Sequence, residues 1–412
     1  LSVWRFQAWN ISYNVSVEWD DYRDRYHWVM RGIDFLKEGA EVNDDDPSLL
    51  GDAGWFISHK IGRSDEAQHF RRMFKEDEDF HGTLRLNEEE RDNWRVGKAY
   101  YRKAERIIDD PTTNRRFRGT APLIFFSRAP LCEFYFAQAR QKEGIHGEKS
   151  IGYYETAEAE WSGTDPHDQP FGEREFATSI GLVRMNHYES KLAEVEKLRA
   201  RMDAFLPKLR EKIVAEKRAA LKPKEREILD AKFEHLSDHQ HGVKVKLMEY
   251  MKFTDVDVAK RIPKPNRAEA MRLAKRSEKL QLEAYWINRN RGIINFNYWR
   301  MRAKAEQTQD SLDARLEMYR GASLADDADL EKSRDAYELG MEHWRLMMDA
   351  YPLLEDDVSA ADDLLTSVRR YKDKVLRHLV SEEPQLPLGY GFVSVKDVAD
   401  WNAFCKRLWE EG

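Results

Sequence analysis

Cysteine is almost missing from this chain. Cys132 and Cys405 are the only two in 412 residues, and neither lies in a CxxC or CxxCH pattern, so a disulfide framework, a cysteine-held zinc site and covalent haem are all without support. Two buried thiols are the expectation. Glycine (21) and proline (13) are scarce for this length, which argues against a sandwich or barrel that needs a turn every few residues. The longest apolar run, APLIFF at 121–126, is far too short to cross a bilayer. Phosphate loops of the GxxxxGK[ST] and GxGxxG types, the GxSxG elbow and HExxH are absent as well, so nucleotide use and nucleophilic hydrolysis have no motif to stand on. A net charge of −7 gives no overall attraction to nucleic acid or to an anionic membrane.

What is abundant is aromatic and charged. Aromatics make up 12% of the chain, with twelve Trp, and 35% of residues are charged, the mixture of amphipathic helices with solvated outer faces. The periodicity predicts a helix over Trp4–Val15 and a second in which Tyr22, Tyr26, Val29, Ile33 and Leu36 share one stripe. NDDDP at 43–47 then reads as a polar joint before a new helix that carries Leu50, Ala53 and Ile57 and ends near Gly62.

These residues resemble a tetratricopeptide repeat. Gly39 falls at the small position late in a second helix, NDDD fills the turn, Leu50 and Ala53 match the large and apolar positions of the next first helix, and Gly54 stands at the characteristic glycine. Phe70 takes an aromatic position in the paired helix, while Glu66 stands where the family prefers a small residue, so the repeat is degenerate. Weaker echoes follow at 97–104 with Tyr101 and Ala104, at 136–157 with Tyr154 and Ala157, and at 333–340 with Tyr337 and Gly340. The resemblance implies an all-α fold of degenerate helical hairpins, an α-solenoid, and adaptor proteins that bind other proteins. The opening segment, VWRFQAWNISYNVSVEWDDYRDRYHWV, is also similar to large tetratricopeptide-containing proteins of planctomycete-type bacteria, many of them tethered to the cell envelope. That similarity implies a cytoplasmic or envelope-associated place in a multisubunit assembly. Leu1 already lies inside a helical pattern, which leaves room for an upstream signal or anchor.

Beyond the first region, 1–165, the pattern predicts a charged, coiled-coil-like helical arm or helical hairpin at 166–285 and a C-terminal helical region at 286–412. In the arm, Tyr188, Leu192, Val195, Met202, Leu206, Leu209 and Ile213 form a stripe. Pro207 predicts a kink, Pro223 a bend or a fresh start, and Asn266 with Glu269 a capping box. In the last region Ile293, Phe296 and Trp299 read as core, and Tyr337, Met341, Trp344, Met348 and Tyr351 share a stripe with a following helix through Leu364, Val368, Tyr371 and Val375. A loop at 381–392 and a short terminal helix with Val398, Trp401 and Leu408 close the chain.

Candidates for chemistry are sparse. Glu66 and His69 form a single ExxH, where a carboxylate-bridged metal site in a helical bundle needs two such motifs and two further carboxylates. His235 and His239 sit in the densest histidine cluster, where a surface turn is expected. The stretch 260–280 holds eight Lys or Arg against two Glu and is a candidate docking face through Lys260, Arg261, Lys264 and Arg267, but it lacks the interleaved aromatics of a nucleic-acid binder. The leading expectation is a non-enzymatic scaffold that binds other proteins or copies of itself, without a cofactor. A metal-binding helical bundle or enzyme, and an anionic-surface or nucleic-acid binder, remain as alternatives.

Overall fold

The computed structural model describes residues 1–82, 86–113, 121–162, 170–354 and 358–379. The loop expected at 381–392, the terminal helix and Cys405 lie outside the described residues. The fold is all-α. Among the described residues the strands are a single antiparallel hairpin, Phe176–Thr178 with Gly181–Val183, in register Phe176 to Val183. Sequence patterning does not predict it.

The chain divides into two compact units, one formed by 1–172 together with 293–412 and the other by 173–292. The regions expected first and last along the sequence thus belong to one unit, and the charged region is inserted between them.

In the first unit successive helices pack on one another: Tyr22–Val42 on Pro47–Trp55, that helix on Asn93–Asp109, then Arg128–Lys142, Glu148–Ser162 and Phe296–Ala305 in turn. The NDDDP joint shows why the chain reverses where it does. Asp44 and Asp45 hold left-handed backbones (φ 53° and 56°), which short polar residues tolerate better than most. Asp46 then caps the next helix by accepting from the Ser48 and Leu49 N–H groups, with Pro47 at the first helical position. These carboxylates are structural.

Where helices cross, small residues meet. A Cβ on Gly54 would lie 3.0 Å from the Gly97 carbonyl oxygen, and one on Gly97 would lie 3.0 Å from that of Gly54 and 2.8 Å from the Ser58 Cβ. Gly39 receives the Trp4 ring in the same manner. The other positions singled out by the repeat pattern, Leu50, Ala53, Phe70, Tyr101, Ala104, Tyr154, Ala157, Tyr337 and Gly340, are all buried.

Helices Gln309–Asp326 and Leu330–Ala350 form a hairpin, and Val358–Tyr371 packs on the first of them. Their shared core contains Tyr337, Met341, Trp344, Met348, Leu364, Val368, Tyr371 and Val375, with Tyr351 packed against it. Phe296 is core as expected, whereas Ile293 is exposed and Trp299 half-buried.

The inserted unit departs from a continuous arm. Its helices are short: Tyr188–Asp203, Leu209–Ala219, Pro223–Asp230, Asp238–Met251 and Asp255–Arg261, followed by the 30-residue Lys264–Ile293. At Pro207 the helix breaks instead of kinking, and Lys208 takes a left-handed backbone (φ 61°) before the next helix starts. Pro223 opens a helix at its first position, as expected. Asn266 is not a cap, because Pro263 precedes a helix that begins at Lys264 and leaves Asn266 in the first turn. Met202, Leu209, Ile213, Val258, Ala259, Ile262, Ala270 and Ala274 form this unit's core.

Candidate functional site

The first unit contains a cleft of about 1520 Å³. Helix Ala67–Glu76 supplies Arg71, Arg72 and Lys75; helix Arg128–Lys142 supplies Gln138, Arg140 and Lys142; Trp94 and Tyr135 give it an aromatic side; and Asp363 and Arg370 come from Val358–Tyr371. Eight Arg or Lys line it against four carboxylates, Glu76, Glu88, Glu143 and Asp363. In a chain of net charge −7 this is a local inversion of sign.

The cations are held by a network that starts at a helix end. Asp92 caps helix Asn93–Asp109 by accepting from the Trp94 N–H at 3.0 Å and is fully buried. It also receives both Arg71 Nη groups, at 2.8 and 3.3 Å. Arg71 reaches on to Glu143 Oε1 at 2.7 Å, while Glu143 Oε2 accepts from Lys75 at 2.8 Å and Arg140 at 2.7 Å. Burial alone would raise the Glu143 pKa, but Arg71 and Lys75 outweigh it and hold the carboxyl below its ordinary range. Lys142 pairs with Asp363 at 2.8 Å, Arg91 with Glu78 at 2.6 Å and Arg370 with Asp326. Arg63, stacked over Tyr135 at 4.9 Å, and the exposed Arg72 have no carboxylate partner among the described residues.

Next to the cleft, helix Pro47–Trp55 runs on through a π-helical turn, Phe56–Lys60, a geometry frequent at functional positions. It carries His59, which stacks on Trp55 at 3.6 Å and meets the edges of Trp94 and Tyr135 at 5.5 and 6.3 Å. Burial, reinforced by Arg63 and Arg128, pushes the His59 pKa down to about 3. The imidazole is neutral at physiological pH. Burial likewise pushes the Cys132 thiol up to about 12, so it is not a thiolate at neutral pH.

The residues singled out from sequence lie apart from this network. Glu66 is ion-paired with Arg25, and His69, on the cleft's lining, stacks on Tyr22 at 4.5 Å. Among the described residues no three His, Cys, Asp or Glu side chains converge as metal ligands. His235 and His239 belong to different elements, the first in a short 3₁₀ turn and the second in the helix after it. In the inserted unit Lys260, Arg261, Lys264 and Arg267 are exposed; Lys260 pairs with Asp257 at 3.1 Å, Arg261 with Glu216, and Arg267 donates to the Ile262 carbonyl at 2.9 Å. No helix among the described residues is long and apolar enough to cross a membrane.

No family model, curated protein or solved structure matches the chain.

Sequence reasoning missed the cleft because its cations come from helices far apart along the chain. The available signal was local: RRMFK at 71–75 and RQK at 140–142.

Proposed function

We propose that the chain is a non-enzymatic helical scaffold, with tetratricopeptide-like stacking in its N-terminal part, that binds other proteins through the basic cleft of its first unit. The observation that carries this reading is the contrast within that unit. Eight cationic side chains face an open cleft, whereas His59 is held neutral and Cys132 is held as a buried thiol. Preorganised charge favours recognition, since the cations are already positioned by carboxylates behind them and lose little freedom on binding. Val3, Phe6 and Trp9 on the first helix are exposed and add apolar surface of the kind found at protein contacts. Membership of a larger assembly follows from this role, and the exposed basic stretch at 260–267 is a secondary surface in it.

A photo-crosslinking residue placed at Gln68, on the cleft rim, tests the reading in native cells. A discrete protein adduct is expected, lost when Arg63→Glu and Arg72→Glu are combined and retained when Lys260 and Arg261 are neutralised. An adduct indifferent to the first pair but lost with the second would move the docking site to the inserted unit. No adduct under either condition contradicts the proposal.

A further inference from the structure

The cleft's own carboxylates indicate what it is built to hold. Lys75 and Arg140 have side chains only 12% and 6% exposed, and they share two acids. Glu143 is one of them, fixed at the end of its helix and locked by Arg71 as well. Glu88 is the other, and it is different in kind: its side chain is 63% exposed, it sits on a turn, and Oε1 accepts from Arg140 at 2.6 Å and from Lys75 at 3.4 Å. The turn does not depend on that contact. Glu89 beside it is held by Tyr153 and Lys149, Asn87 and Glu90 bond each other reciprocally, and Arg91 pairs with Glu78. Arg140 also keeps a buried Nε–H with no acceptor.

We propose that the cleft receives an acidic peptide segment of a partner protein, and that Glu88 is a displaceable stand-in for one of that peptide's carboxylates. This rests on the reading of the cleft as a protein-docking surface and adds the chemistry of the occupant and a built-in competitor. Once Glu88 swings out, Lys75 and Arg140 offer a carboxylate a largely desolvated, charge-assisted pair of donors. Arg63 and Arg72, which have no carboxylate partner among the described residues, provide positions for further acids, and the Tyr135 ring beneath Arg63 adds an aromatic surface beside them.

Charge balance selects peptide over nucleic acid. Three more carboxylates, Asp92, Glu78 and Asp326, stand against the lining cations, so the eight positive charges exceed the nearby negative ones by a single unit. A phosphate backbone needs a run of uncompensated cations and would press against Glu76 and Glu143. A few spaced carboxylates match two arginines without a carboxylate partner among the described residues and one vacated pair.

The test is binding of a fluorescein-labelled oligoglutamate peptide to the full chain, followed by anisotropy. Glu88→Gln should tighten binding by about two- to fivefold, the equivalent of one partly exposed ion pair, and Glu88→Lys should tighten it further. Arg72→Glu should abolish it, and Lys260→Gln with Arg261→Gln should leave it unchanged. Each variant is compared at an unchanged melting temperature, and because the turn has independent anchors both Glu88 variants are expected to fold. Affinity that is unaltered or weakened by both substitutions overturns the proposal. So does a single-stranded oligonucleotide that outcompetes the peptide and responds to Glu88→Gln in its place. If the Gln68 adduct forms while the peptide ignores Glu88, the docking reading stands and this inference alone fails.

Discussion

At the scale of single residues, the difference between exposed and buried charge decides what matters. Lys252 and Glu249 are both 71% exposed, and their pair is worth no more than about 0.5 kcal/mol. Asp92 is in a different position, because it is fully buried, caps a helix and answers Arg71. Asp92→Ala leaves a buried guanidinium short of its partner and should lower stability by about 3–5 kcal/mol in chemical denaturation. His59 gives a titration signature. Its folded pKa is near 3 and its ordinary value 6.5, so between those limits the unfolded chain binds a proton that the folded chain does not. Stability contributed by this group is complete above about pH 6.5 and falls as pH drops toward 3, with a slope of at most about 1.4 kcal/mol per pH unit. His59→Phe should flatten that part of an acid-unfolding profile, and an unchanged slope would mean the ring is solvated.

At the scale of elements, glycines of the same chain should respond in opposite directions. Gly97 sits at a helix crossing where an added Cβ meets backbone oxygen at 3.0 Å. Gly97→Ala gains about 1 kcal/mol of helix propensity and loses about 1–3 kcal/mol to forced separation of the helices, so a net loss is expected in thermal melts. Gly152, inside helix Glu148–Ser162, has nothing near its missing Cβ. Gly152→Ala should stabilise by about 0.5–1 kcal/mol. Equal effects at both positions would show that the crossing tolerates a methyl group. Most of the helices, the stripes through Val29, Ile33 and Leu36 and through Tyr337, Met341 and Trp344, and the NDDDP joint were legible in the sequence because each rests on spacing within a few turns of chain. The Phe176–Val183 hairpin was not, since three residues per strand carry too little alternation and its turn depends on Gly181 at φ 123°. Asn266 misled for a related reason: a capping pattern records local preference, and Pro263 fixed the start of that helix first.

At the scale of the whole molecule, the two units and the cleft were illegible for one physical reason, which is separation along the chain. Residues 1–172 and 293–412 form one body, yet nothing within either stretch announces the other. The cleft brings Arg71, Arg140, Lys142 and Arg370 together from three helices, and only the density of charge at 260–280 was visible beforehand. There, among the described residues, Lys260, Arg261 and Arg276 pair with Asp257, Glu216 and Glu194. In the cleft, buried Asp92 and the partly exposed Glu143 hold cations beside open volume, and that arrangement supports the proposed role in binding.

Hydrogen–deuterium exchange of the full chain, alone and with the partner identified by crosslinking, tests that proposal most directly. Slowed exchange in helices Ala67–Glu76 and Arg128–Lys142, with 260–280 unaffected, is the predicted result. Protection confined to 260–280, or found in neither region, would contradict it.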